Sequence, residues 1–213
     1  MTLRIILADD HPVVRSGVRA LLESEPQTSV VADVGSPAEL IDAIHACSCD
    51  IVLTDFSMPG GQVADGLHML GLIRRCRPTL PVIVLTMVSN TGLLNSILAT
   101  GVRGLLGKSD ALTELTLAVQ AVSHGRDYLS STIRQTLDTA QTDASVSAQP
   151  MLSKRETEVL RLFASGFTVS EIASRFNRSV KTISRQKMDG MAKLNLKSDL
   201  DVYAYAREHG MLT

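Results

Sequence analysis

Apolar and polar positions alternate on two length scales over the first 125 residues. Five short runs rich in Val, Ile and Leu predict strands: "LRIILADD" (3–10), "SVVADVG" (29–35), "DIVLTD" (50–55), "PVIVLTM" (81–87) and "VRGLLGK" (102–108). Between them the spacing changes to that of a helix. Val14, Val18, Leu21 and Leu22 recur after the first run, and Leu67, Leu70 and Ile73 fall on one face of 66–75. Residues 37–46, 93–100 and 111–122 continue the alternation, the last with Leu112, Leu115, Val119 and Val122 inward. Strands apolar on both faces belong to parallel sheets covered on both sides. Five such strands alternating with five helices predict an open, doubly wound α/β domain with a five-stranded parallel sheet.

The pattern changes after residue 125. "STIRQTLDTAQTDASVSAQP" (131–150) has little apolar periodicity beyond Leu137, so 126–150 reads as a linker that extends a helix at its start. Residues 151–213 read as short helices. "SKRE" (153–156) and "TVSE" (168–171) both have the spacing of a capping box, and Gly166 is a stop. Val159, Leu160, Leu162 and Phe163 form one core stripe, with Ile172, Ala173 and Phe176 forming the next. A tight turn, "NRS" (177–179), then leads into a basic helix from Val180 to about Leu194. A capped short helix, a tight turn and a longer helix outline a helix-turn-helix. Val180, Ile183, Met191 and Leu194 fall on one side of the last helix. Lys181, Ser184, Arg185 and Met188 fall on the other, flanked by Thr182, with Arg178 in the turn before. Cations and hydroxyls opposite a core stripe suit a major groove, where Lys and Arg read guanine or hold phosphate.

Charge sharpens the division. The net charge of −1 splits into −4 for residues 1–125, −1 for 126–150 and +4 for 151–213. An acidic front and a basic back predict two domains with different partners, double-stranded DNA for the second. Composition narrows the remainder. With no Trp and 3% aromatic residues, the chain does not supply an aromatic-lined pocket for a small molecule. The three cysteines, Cys47, Cys49 and Cys76, read as buried or half-buried residues of a reducing compartment. No apolar run approaches the roughly 20 residues of a membrane span and no leader opens the chain, so a cytoplasmic location is expected.

In an open parallel sheet the functional crevice lies beyond the carboxyl ends of the strands. Those ends carry Asp9 and Asp10, Asp55, Thr86 and Lys108. Three carboxylates crowded together repel one another unless a cation joins them, and Mg²⁺ favours oxygen ligands. Lys108 neutralises the remaining charge or holds a phosphate oxygen. The set describes a carboxylate nucleophile that attacks phosphorus, with Asp55 most central. Gly60, Gly61 and Gly66 do not have the spacing of a dinucleotide loop, and His11 reads as the start of a helix with Pro12 in its first turn.

The pair "DDHP", the strand end "TDFSMP", the "LT" of the fourth strand and the "GK" of the fifth resemble the receiver domain of two-component response regulators over residues 3–125. The resemblance implies that Asp55 accepts a phosphoryl group from a histidine of a sensor kinase or phosphotransfer protein. It implies Mg²⁺ bound by Asp10, Asp55 and the backbone carbonyl of Ser57, with Asp9 acting through water, and Thr86 and Lys108 on the phosphoryl oxygens. Leu105 stands where many members carry an aromatic switch residue, and Ser109 where many carry Pro. The stretch "LSKRETEVLRLFASGFTVSEIASRFNRSVKTISRQKMDGMAKLNL" resembles the LuxR/FixJ-type DNA-binding domain. A closer likeness to one branch rests on Leu105, "VLTM", "NRSVKTISRQK" and the long turn "SMPGGQVADG". It implies control of capsule, motility or fimbrial genes, with an auxiliary DNA-binding partner. The expectation is a phosphorylation-switched transcription factor rather than an enzyme. It acts as a homodimer, with Leu200, Tyr203, Ala204 and Arg207 of the last helix pairing two copies. Two alternatives remain. A phosphohydrolase with an aspartyl nucleophile commonly wants a second carboxylate where Ser57 stands, and an autoinducer-binding regulator wants the aromatic pocket this chain lacks.

Overall fold

The computed structural model describes residues 2–58, 63, 65–143, 152–208 and 211. Strands and helices alternate as β1 (Leu3–Ala8), α1 (Pro12–Glu23), β2 (Thr28–Val34), α2 (Pro37–Ala46), β3 (Ile51–Asp55), α3 (Gly66–Cys76), β4 (Val82–Thr86), α4 (Thr91–Leu98), β5 (Gly104–Gly107) and α5 (Ala111–Ser123). They are followed by β6 (Tyr128–Leu129) and α6 (Ser131–Asp143). The sheet runs β2-β1-β3-β4-β5-β6 with every pair parallel. Ile5, Leu7, Leu53, Leu85 and Leu106 form one core with Val18 and Leu22 of α1 and Leu115 and Val119 of α5. The alternate residues Ile6, Val52, Val84 and Leu105, all buried, point to the other face. There α2 packs on β1 and β2 and against α3. In β2 the register slips, Ile5 pairing Val30 and Ile6 pairing Ala32, so Val31 is an extra, partly exposed bulge residue.

The sheet has six strands, not five, because Tyr128–Leu129 at the start of the segment read as a linker adds a strand; the helix expected at its start is α6. Leu105 pairs Leu129 and Gly104 pairs Tyr128, so the open edge of β5 supplies the pairing that a two-residue apolar run cannot announce by periodicity. Residues 144–150 of that linker, and 59–62 and 64 of the long turn after Ser57, lie outside the described residues. The chain forms two compact units, Met1–Thr86 with Ile97–Arg134 and Met87–Ser96 with Gln135–Thr213. Leu112, expected inward, is 75% exposed. The buried stripe of α5 runs through Ala111, Leu115, Ala118, Val119 and Val122, and Leu112 lies past its margin. Val14, in the first turn of α1, is also at the surface. Cys49 is buried and Cys47 and Cys76 are half-buried, all as free thiols.

In the second half α7 (Lys154–Ala164), α8 (Val169–Arg175), α9 (Val180–Lys193) and α10 (Asp199–Glu208) pack with α7 at the centre. Val159, Leu160, Phe163, Ile172, Ala173, Phe176, Ile183, Met191, Val202 and Ala206 are buried. Both capping boxes form: Ser153 with Glu156, and Thr168 with Glu171. Three helices stop by one device. After α7, α8 and α9 the residues Gly166, Asn177 and Asn195 take φ of 94°, 50° and 55°. In each case the next amide reaches back to the third-last helical carbonyl: Phe167 to Leu162, Arg178 to Ala173 and Leu196 to Met191. Gly190 lets α9 approach α7 closely: a Cβ there would meet Leu160 Cδ1 at 3.0 Å, so that side chain would have to give by a few tenths of an ångström. Val180, expected in the core, is 51% exposed, because it opens α9 one turn before the first buried contact at Ile183; Leu194 is half-buried.

Candidate functional site

Because the strands are parallel, β1, β3, β4 and β5 end at one edge of the sheet, and the residues just beyond them converge. Asp9 is fully buried, Asp55 is 2% exposed, and Asp10 is half-buried. Lys108 reaches across so that its Nζ lies 2.7 Å from Asp55 Oδ2 and 3.0 Å from Asp9 Oδ2. Asp9 Oδ2 faces the Lys108 ammonium and Asp10 Oδ1 faces the His11 ring, and neither buried oxygen has an aligned hydrogen bond. His11 Nδ1 lies 2.9 Å from Asp10 Oδ1, which makes an ion pair only when the imidazole is protonated. Asp9 Oδ1 accepts from the His11 amide at 2.8 Å. Asp55 Oδ1 accepts from the Ser57 amide at 3.3 Å. Thr86 is buried at the end of β4, and its carbonyl accepts from the Lys108 amide at 2.8 Å.

These contacts set the electrostatics. Burial pushes the Asp55 carboxyl up to about 6; the Lys108 ammonium and the Ser57 amide pull it down and the Asp9 charge pushes it further up. Burial lowers the Lys108 ammonium, but Asp55 and Asp9 outweigh it and leave it raised. Oxygens of Asp9, Asp10 and Asp55 and a ring nitrogen of His11 all lie within 4.8 Å of one another. Two buried carboxylate oxygens without an aligned hydrogen bond, among three acids, fit a hard divalent cation. Sequence reasoning missed Asp65. This carboxylate, 1% exposed at the start of α3, accepts from the Ser57 hydroxyl at 3.4 Å. Its only sequence signal is its place before Gly66, which reads as a helix start; the side chain makes no cap.

The second group of expected residues lies on α9. The Ser179 side chain caps that helix by accepting from the Thr182 amide. Arg178, Lys181, Thr182, Ser184, Arg185 and Met188 are all exposed. Arg185 Nε lies 3.6 Å from Asp189 Oδ2. Two of the eleven lysines and arginines in residues 151–213 turn inward. Arg161 is buried against Glu158 at 3.1 Å. Lys187 Nζ lies 2.6 Å from Asp199 and 3.5 Å from the centre of the Phe163 ring. On α10, Leu200 and Tyr203 are exposed while Val202 and Ala206 are buried; the Ala204 side chain is not among those described.

Residues 5–120 match the response regulator receiver domain and residues 150–206 match the bacterial regulatory proteins, luxR family. The transcriptional regulatory protein RcsB of Escherichia coli is 37% identical over 203 residues, covering 95% of this chain and 93% of RcsB. The chain belongs to the response regulators with a LuxR-family output domain. Among solved structures of this family, RcsB from Salmonella enterica serovar Typhimurium bound to promoter rprA in the presence of phosphomimetic BeF3- aligns with a TM-score of 0.83. It is 36% identical, over 96% of this chain and 98% of that one. A structure of two RcsB dimers bound to two parallel DNAs aligns with a TM-score of 0.65 at 36% identity, over 97% and 98%. As a response regulator, the chain carries its acidic strand-end cluster in the receiver domain and its exposed basic helix in the output domain. No helix among the described residues is long and apolar enough to cross a membrane.

Proposed function

We propose that this response regulator is a cytoplasmic transcription factor switched by phosphorylation of Asp55, which binds double-stranded DNA through α9 as a homodimer. One observation carries the reading: Asp55 is buried with Lys108 Nζ 2.7 Å away, beside two buried carboxylate oxygens that lack an aligned hydrogen bond. Such a site holds a nucleophile and still demands positive charge. An Asp55 oxygen attacks the phosphorus of a phosphohistidine on a sensor kinase or phosphotransfer protein. The P–N bond breaks, an acyl phosphate forms, and the departing imidazole takes its proton from solvent. Lys108 then pairs with a phosphoryl oxygen, and the Thr86 hydroxyl serves another. Asp10, Asp55 and the Ser57 carbonyl would hold Mg²⁺, with Asp9 acting through water. When bound, the ion neutralises the charge gathered at this edge. In the output domain, Lys181, Thr182, Ser184, Arg185 and Met188 face the major groove, with Arg178 at its rim. The likeness to RcsB supports control of capsule, motility or fimbrial genes, with an auxiliary DNA-binding partner.

The test joins both halves. Acetyl phosphate with Mg²⁺ is expected to label Asp55, and chelator or Asp55→Asn to abolish labelling. Genome-wide mapping of bound sites is expected to give a set for the wild type that shrinks or changes for Asp55→Ala. Full labelling in chelator would overturn the metal assignment, and identical site sets would overturn the switch.

A further inference from the structure

The end of β5 is tied to the start of α6 by hydrogen bonds that phosphoryl transfer itself does not use. Ser130, between β6 and α6, is fully buried. Its amide donates to the Leu105 carbonyl at 3.1 Å, and its Oγ accepts from the Gly107 amide at 3.1 Å. Gly107 immediately precedes Lys108, whose own amide is held by Thr86. The Ser130 carbonyl accepts from the Arg134 amide at 2.9 Å, so the same residue also opens the hydrogen-bond ladder of α6. Asp110, just before α5, accepts from the Thr132 amide at 3.2 Å and the Thr132 hydroxyl at 2.7 Å. Glu114, one turn on, accepts from the Ser131 amide at 3.2 Å, the Ser131 hydroxyl at 2.5 Å and the Tyr128 hydroxyl at 2.8 Å. The amides of Ser131 and Thr132 are the first of α6, where helical N–H groups have no partner of their own and negative charge is favoured. Asp110, just before α5, and Glu114 within it therefore cap α6, and Ser130, the residue that precedes α6, joins that first turn to the residue before Lys108.

We propose that Ser130 is a positioning residue that couples Lys108 to the first turn of α6, so that the phosphoryl state of Asp55 is transmitted to the helix leading toward the output domain. The inference rests on the phosphorylation reading above. Without phosphate the Lys108 ammonium sits between Asp55 and Asp9. A phosphoryl group esterifies one Asp55 oxygen and presents new acceptors farther along the side chain, and the ammonium follows that charge. Movement of the 107–108 backbone changes the Gly107–Ser130 bond directly. Through the Ser130 backbone, whose carbonyl holds the Arg134 amide, it then changes the first turn of α6.

Full-length wild type, Ser130→Ala, Ser130→Thr and Glu114→Gln are compared with and without beryllofluoride and Mg²⁺. Hydrogen exchange is read over 128–138, and affinity is read on a duplex that the wild type selects from random sequence. Wild type is expected to change affinity by about fivefold or more on adding beryllofluoride, the low end of a typical coupling, with altered exchange at 131–134. Ser130→Ala is expected to keep acetyl-phosphate labelling of Asp55 within about twofold while losing most of that ratio, and Ser130→Thr to restore it. Glu114→Gln is expected to speed exchange at 131–134 and shrink the ratio, and it decides the matter if Ser130→Ala does not fold. A wild-type ratio in Ser130→Ala, or in Glu114→Gln where that variant decides, overturns the inference alone. Loss of labelling in Ser130→Ala also overturns it, because Ser130 would then build the site rather than couple it. A wild type indifferent to beryllofluoride overturns the phosphorylation reading and the inference together.

Discussion

At the residue scale, Asp55 is placed against its own charge. Its carboxyl titrates near 6 in the fold, raised first by burial, even with Lys108 2.7 Å away. A raised carboxyl contributes least to stability where it is ionised. The penalty is absent below about pH 4, grows as pH rises through about 6, and levels off at ~3 kcal/mol for a shift of about two units. In chelator, Asp55→Asn is therefore expected to be more stable than wild type at neutral pH by up to ~3 kcal/mol, with the gap closing near pH 4. Urea unfolding at several pH values checks this, and a gap that widens on acidification would contradict it. On α9 the exposed Arg185 lies beside Asp189. Arg185→Ala is expected to cost about 1–3 kcal/mol on a selected site and relax one base position, whereas Lys181→Ala weakens all duplexes alike and flattens the salt dependence. Gel-shift titrations on matched and mismatched duplexes separate the two. The acids at the strand ends were legible because each follows an apolar run. Asp65 was not, because only folding brings the residue before α3 to Ser57.

At the element scale, local signals specified helix boundaries well in the second half. Both capping boxes form as "SKRE" and "TVSE" indicate, and the turn "NRS" closes through Asn177 at φ 50°. Asn177→Gly is expected to be tolerated, while Asn177→Ala destabilises by ~1 kcal/mol from the left-handed backbone; thermal unfolding of the pair reads the difference. The inward turn of Arg161 carried no local signal. It sits beside Glu158 on a helix whose sequence shows both as ordinary surface charges, yet both are at most 2% exposed. Arg161→Ala leaves Glu158 buried with one partner fewer and is expected to destabilise by ~3–5 kcal/mol. A loss within ~0.5 kcal/mol, normal for a surface site, would show the pair to be solvated. β6 escaped the sequence for a different reason: a strand of two residues has no period to detect, and it exists because β5 offers an edge.

At the scale of the whole molecule, the apolar side chains of α10 divide between two roles. Val202 and Ala206 pack inward, while Leu200 is 77% exposed and Tyr203 stands at the surface beside Phe163, with ring centres 5.7 Å apart. Leu200→Asp is expected to leave the fold intact, to keep affinity for a single half-site, and to lose affinity for two half-sites roughly one helical turn apart. Unchanged affinity for the paired site would remove α10 from the dimer contact. The order of apolar runs and helical stripes, the acidic front and basic back, and the identity of the residues at each strand end were determined by the sequence alone. They depend on local periodicity and on which residue follows which, and parallel pairing then brings those ends together without further instruction. Tertiary structure decided the rest. It set the sixth strand, the inward turn of Arg161 and Lys187, and the outward place of Leu112 and Val180. It also tied Gly107 to Ser130, and left two buried carboxylate oxygens of Asp9 and Asp10 without an aligned hydrogen bond. Each of these depends on what another segment brings to within a few ångströms, and a one-dimensional pattern does not contain that distance.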